Sequence, residues 1–164
     1  MTKRIAAICL GLVLWMALAV PSSNAQDLND NSLKGITAVS VVVENLPEGA
    51  KVLGLTAETI QTDVELKLRL AGMQVVPAIE SAKYNGAPYV YVNVNLTDGA
   101  EAVSIMVELE QDATLLRNGQ YVGSVPTWSK SMIISHPTTQ ALRDSTKDLT
   151  DRFLNTWLSV NPRK

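Results

Sequence analysis

Between residues 89 and 110 the chain alternates apolar and polar side chains almost without a break. Val90, Val92, Val94 and Leu96 alternate with Tyr89, Tyr91, Asn93 and Asn95. Val103, Ile105, Val107 and Leu109 then alternate with Ser104, Met106, Glu108 and Glu110. A period of two places one set on a buried face and the other on a wet one. Thr97-Asp98-Gly99 predicts the turn between these strands. Asn118-Gly119 predicts a hairpin into a further strand over residues 121–135, since both residue types tolerate positive φ. Pro126 cannot donate to a ladder, so that strand is expected at an edge or with a bulge.

A different rhythm runs through residues 56–71. Ala57, Ile60, Val64, Leu68 and Ala71 fall on one stripe of a helix, Thr56 is a good N-cap, Glu58 sits in the first turn and Gly72 supplies the stop. Leu66 lies off that stripe. Upstream, residues 36–45 are rich in Val, with apolar side chains on both parities, and predict a strand buried on parts of both faces. Leu46-Pro47-Glu48-Gly49 ends it. Residues 73–76 predict a short strand closed by Pro77. Strand, helix and strand in that order favour a crossover with parallel strands. Leu142, Leu149, Phe153, Trp157 and Val160 mark a last helix, capped by Thr138 or Thr139 and closed by Pro162. Lys147 with Asp151, and Asp148 with Arg152, are spaced for i,i+4 pairing along it.

The expected fold is α+β in two layers: a mostly antiparallel sheet with two helices on one face, in the order β-α-β-β-β-β-α. The N-terminus reads differently. Lys3 and Arg4 precede an apolar run from Ile5 to Val20, then Pro21 and the small residues Ser23 and Ala25. This is the pattern of a secretory signal peptide over residues 1–25, cut after Ala25. A flexible polar leader over residues 26–34 and one domain over residues 35–164 are expected to follow. Cys9 lies too early in the apolar run to serve as a lipoprotein cysteine, and it leaves with the signal. The mature chain then has no Cys and no membrane span, and is expected to be exported, periplasmic or secreted.

Composition narrows the chemistry. The chain has 164 residues, 14 Lys+Arg, 16 Asp+Glu and one His, for a net charge of -2. Loss of Lys3 and Arg4 removes two positive charges and takes that value to -4. No basic excess and no basic-aromatic interleaving point to nucleic acid. Without a mature Cys, a G-x-S-x-G elbow or a Ser-x-x-Lys pair, nucleophilic catalysis lacks its parts. His136, the single His, reads as a loop or capping residue. It excludes two-His zinc sites. No phosphate-binding glycine loop occurs. Asp27 to Asn31 starts like a calcium loop, but Ser32 and Ala38 stand where Gly and Glu are required. No catalytic, cofactor-binding or metal-binding residue is assigned. Glu108 and Glu110 are the one carboxylate pair with spacing suited to a hydrolase, an alternative reading.

The remaining character is on the wet face. Tyr89, Tyr91, Asn93 and Asn95 are the types that contact proteins or glycans, and Trp128, between Thr127 and Ser129, either adds to this face or sits in the core. A second alternative is a small-ligand carrier with a pocket between helices and sheet, lined by Leu66, Trp128 and Trp157.

The stretch GITAVSVVVENLP, the helix TAETIQTDVELKLRLAG, the run MQVVPA, the meander and the closing helix together resemble the small α+β domains of bacterial envelope assembly. The group they resemble is that of the lipopolysaccharide-assembly outer-membrane lipoproteins. The resemblance covers residues 35–160 and lies in element order. The chain departs from that group in having no Cys placed for lipid attachment. The resemblance implies a non-enzymatic module of the cell envelope that binds another envelope protein or a glycan. It transfers no site residue and no oligomeric state.

Overall fold

The computed structural model describes residues 30–97 and 101–162. The expected signal segment, the start of the leader and the Asp98-Gly99 turn lie outside these residues. Five strands form one sheet: β1 (Ala38–Val43), β2 (Gln74–Val75), β3 (Tyr89–Leu96), β4 (Ala102–Thr114) and β5 (Tyr121–Ser135), in the order β2-β1-β3-β4-β5. The fold is α+β, as its periodicities require. The sheet is mixed. β1 runs parallel to both β2 and β3, whereas β3–β4 and β4–β5 are antiparallel and carry most of the pairing.

Among the described residues, three α-helices accompany the sheet: α1 (Glu48–Val52), α2 (Ala57–Leu70) and α3 (Thr139–Val160). The short α1 is an addition to the expected order. It forms where Leu46-Pro47-Glu48-Gly49 reads as a simple stop, because Pro47 precedes its first turn and Ala50 is buried beneath it. Thr56 caps α2 by accepting from the Thr59 N–H at 3.1 Å, and Gly72 leaves the helix at φ +87°, a region open to glycine. Thr138, rather than Thr139, caps α3, accepting from the Ala141 N–H at 3.1 Å.

α2 packs on β1, α3 packs on β4 and β5, and the two helices touch each other. Between layers lie Val39, Val41, Val90, Val92, Val103, Ile105, Val107 and Leu109 from the sheet. They meet Ile60, Val64, Leu68, Leu142, Leu149 and Phe153 from the helices. Each fully buried Val, Leu, Ile or Phe contributes on the order of 2 kcal/mol by leaving water.

The ion pairs along α3 differ from the i,i+4 expectation. Asp151 is taken by Lys67 of α2 at 2.6 Å. Lys147 reaches Asp63 of α2 at 3.6 Å and Asp144 at 3.9 Å. Asp63 also accepts two hydrogen bonds from Arg143, at 2.7 and 2.9 Å. A partner on the facing helix, shielded from water, competes successfully with one on the same solvated surface.

The end of the expected leader is not loose. Asn31–Leu33 forms a 3-10 turn, Leu33 is 0% exposed within the core, and the Ser32 hydroxyl donates to the Thr127 carbonyl at 3.0 Å. Leu33 is a large apolar side chain in a mostly polar stretch, and the open end of the core accepts it.

Candidate functional site: the open sheet face

The face of the sheet away from α2 and α3 carries the polar parity of each strand. Register brings Tyr89 opposite Glu110, Tyr91 opposite Glu108, Asn93 opposite Met106 and Asn95 opposite Ser104. Val42 of β1 lies beside Tyr91 and Ser40 beside Tyr89. Among the described residues, the face is covered at its β1 end. A 3-10 turn, Ala78–Lys83, packs against β1 there, and Ala38 and Ser40 are buried despite their outward parity.

The tyrosines on this side are each tied to a carboxylate. Tyr89 donates its hydroxyl to Glu110 and Tyr121 donates to Asp112. Tyr91 faces Glu44, which follows β1. The hydrogen bond to Glu44 and the desolvation of the ring push the Tyr91 phenol up to about 12. Burial, then the bond to Glu110, raises Tyr89 above the usual value, and the Asp112 bond raises Tyr121. In each case the adjacent negative charge penalises a second one. The Asn95 amide donates to Asn93 along the same row.

The carboxylates themselves lack ordinary counter-ions. Among the described residues, no Lys or Arg nitrogen comes within 4.0 Å of Glu44, Glu108, Glu110 or Asp112. The carboxylates of the helices and the 3-10 turn that form ion pairs do so with Lys or Arg, whereas phenols take that place at Glu44, Glu110 and Asp112 on this side. The surface is therefore a set of held rings and hydrogen-bond acceptors, negative in sign.

Tyr89, Tyr91, Asn93 and Asn95 share this face as the alternation implies. Trp128 does not join them. It is 2% exposed, points into the interlayer core and meets Phe153 edge-on at 5.3 Å between ring centroids. Register explains the correction. Trp128 pairs with Leu109, so it takes the buried parity of that pair. Its indole N–H is buried without a partner. The three residues expected to line an interlayer pocket are separated too. Leu66 is 54% exposed, Trp128 is in the core, and Trp157 is buried with its indole donating to the Ile36 carbonyl at 2.8 Å.

His136 stands exposed at the β5–α3 corner at φ +47°, its backbone N–H bonded to the Glu101 carbonyl at 2.7 Å. Among the described residues, no group of three or more His, Cys, Asp or Glu is placed to hold a metal ion. No helix there is long and apolar enough to cross a membrane.

As Pro126 implies, β5 lies at a sheet edge and is irregular against β4, but the cleft that results was not foreseen from the sequence. β4 runs on to Thr114, with register shifts against β5 at Leu109/Glu110 and Gln111/Ala113. The shifted end, with Ser124 at φ +54°, brings Asp112 and Tyr121 beside residues 82–87. There they line a cleft of about 570 Å³. Pro126 was the available signal for this irregularity.

No protein-family model matches the chain, and no curated protein matches it. Among solved structures, a point-variant PelC dodecamer from Paraburkholderia phytofirmans is similar at a TM-score of 0.44 and 16% identity. The match covers 76% of this chain and 89% of that one.

Proposed function

We propose that the chain is exported and serves as a non-catalytic binding module of the bacterial cell envelope, with the open sheet face as its contact surface. The observation that carries this reading is the row of Tyr89 and Tyr91 held by Glu110 and Glu44 beside Asn93 and Asn95. Their rings are fixed before a partner arrives, so less side-chain freedom is lost on binding. Carboxylates without counter-ions favour a partner rich in hydrogen-bond donors, an envelope protein or a glycan. The signal-like N-terminus and the resemblance in element order support the same setting.

The test uses purified protein sedimented with isolated envelope fractions of the producing cell. Wild type is expected to co-sediment, and Tyr89→Ala with Tyr91→Ala to lose about tenfold or more in apparent affinity, the loss of two anchoring rings. Equal retention of the double variant removes this face from the reading. Hydrolysis of a glycan by wild type and not by Glu108→Gln would replace the reading with the hydrolase one.

A further inference from the structure

The cleft at the shifted end of the sheet has the makeup of a site in its own right. It is lined by residues 82–87 with Asp112 and Tyr121, and its volume of about 570 Å³ falls within the ~300–1,000 Å³ usual for small-molecule sites. Two aromatic rings border it, and both are tethered. Tyr121 is 65% exposed, yet its hydroxyl is bound to Asp112. The Tyr84 hydroxyl accepts from Gln74 Nε2 at 3.0 Å. An exposed ring held at its far end offers a flat apolar surface without free rotation.

Asp112 is held from two sides. Its Oδ2 accepts from Tyr121 and its Oδ1 from the Ser124 N–H at 3.4 Å. Each carboxylate oxygen has two acceptor positions, so both keep one for an incoming hydroxyl. The Asn85 side chain is exposed at the same rim and brings a donor and an acceptor. The lining carries one anion, Asp112, and one cation, Lys83, which is already paired with Glu80 at 3.3 Å. With Lys83 neutralised by Glu80, Asp112 is left as the net charge of the lining, which disfavours an anion and accepts hydroxyl donors.

We propose that this cleft binds a neutral saccharide ring, stacked on Tyr121 and hydrogen-bonded through its hydroxyls to Asp112 and Asn85. A pyranose presents the two chemistries that the cleft offers: an apolar C–H face and a rim of hydroxyls. The proposal rests on the binding-module reading and names a ligand class for it.

The experiment follows backbone amide signals of isotope-labelled protein, expressed from its full sequence, on addition of cellohexaose, maltohexaose or chitohexaose at millimolar concentration. At least one sugar is expected to shift the amides of Tyr84, Asn85 and Asp112. Tyr121→Ala is expected to weaken that binding about five- to tenfold, the value of one aromatic contact. Tyr121→Phe, which keeps the ring, is expected to lose less. An unchanged spectrum outside the cleft shows that each variant remains folded. If none of the three sugars moves these signals, or if Tyr121→Ala binds as tightly as wild type, the cleft proposal is overturned. Sugar binding that survives Tyr121→Ala and disappears in Tyr89→Ala with Tyr91→Ala also overturns it, while leaving the open-face reading intact. Loss of envelope retention in that double variant, with sugar binding at the cleft unchanged, separates the two in the other direction.

Discussion

A phenol beside a carboxylate on a solvent-facing sheet is kept in its protonated, donating form. Tyr91 is the clearest case, its ionisation pushed up to about 12 with Glu44 as the first cause and desolvation as the second. Replacing Glu44 by Gln removes the charge and keeps the acceptor oxygen, so Tyr91 is expected to ionise closer to the ordinary 10.0. An alkaline titration followed by phenolate absorbance, compared between wild type and Glu44→Gln, checks this. An unchanged titration would mean that Glu44 does not hold the ring. The sign carries into stability. A folded-state value above the unfolded one gives stability that is complete below about pH 10 and is lost as pH rises through about 12. For binding, the consequence is that this phenol remains a donor across the whole physiological range.

At the scale of elements, the contact between α2 and α3 carries its own pH dependence. Asp63 is 9% exposed and accepts a bidentate pair from Arg143, with Lys147 at 3.6 Å. The bond to Arg143 is the largest cause holding the Asp63 carboxyl below its usual 3.8, with burial opposing it. A depressed folded-state value contributes stability that is present above the unfolded value and is lost as pH falls through the folded one. Asp63→Asn is expected to cost about 2 kcal/mol at neutral pH, the worth of hydrogen bonds to a charged group. It should also flatten the acid limb of the stability curve. Urea unfolding of both proteins across pH 2 to 7 reads both effects. A parallel pair of curves would show that Asp63 carries no linkage.

This ion pair also shows where sequence reading stops. Period two exposed β3 and β4, and period 3.6 exposed α2 and α3, because each pattern is local to its element. The pairing of Asp63 with Arg143 joins residues 80 positions apart, so it follows from how the helices cross and leaves no local trace. Trp128 was left open between the wet face and the core for a related reason. Pro126 and the register shifts beside it break the alternation along β5, and parity there cannot be counted from one end. The Tyr–Asn row was legible because it stands on unbroken strands, whereas the Asp112–Tyr121 cleft depends on the irregular end of β4 and β5.

For the whole molecule, the same logic applies at the two described ends of the chain, which meet. Leu33 is 0% exposed. Its carbonyl accepts from Asn161 Nδ2 at 2.9 Å, and the Gly35 N–H donates to Asn161 Oδ1 at 2.7 Å. Trp157 near the end of α3 donates to Ile36, and Gln111 of β4 donates to the Ser32 carbonyl at 3.3 Å. The turn before β1 thus closes the open end of the interlayer core and locks the last turn of α3 to it. A peripheral leader would tolerate truncation of Leu33 with little effect. A closing side chain would not, since its removal leaves a cavity that rigid neighbours cannot fill. Leu33→Ala is therefore expected to cost about 2–5 kcal/mol, the range for a buried Leu. It should keep the unfolding slope of wild type, because the fold itself is retained. Chemical denaturation measures the midpoint and the slope together. A loss under about 0.5 kcal/mol, as for an ordinary surface position, would return residues 30–34 to the status of a leader. The domain would then begin at β1.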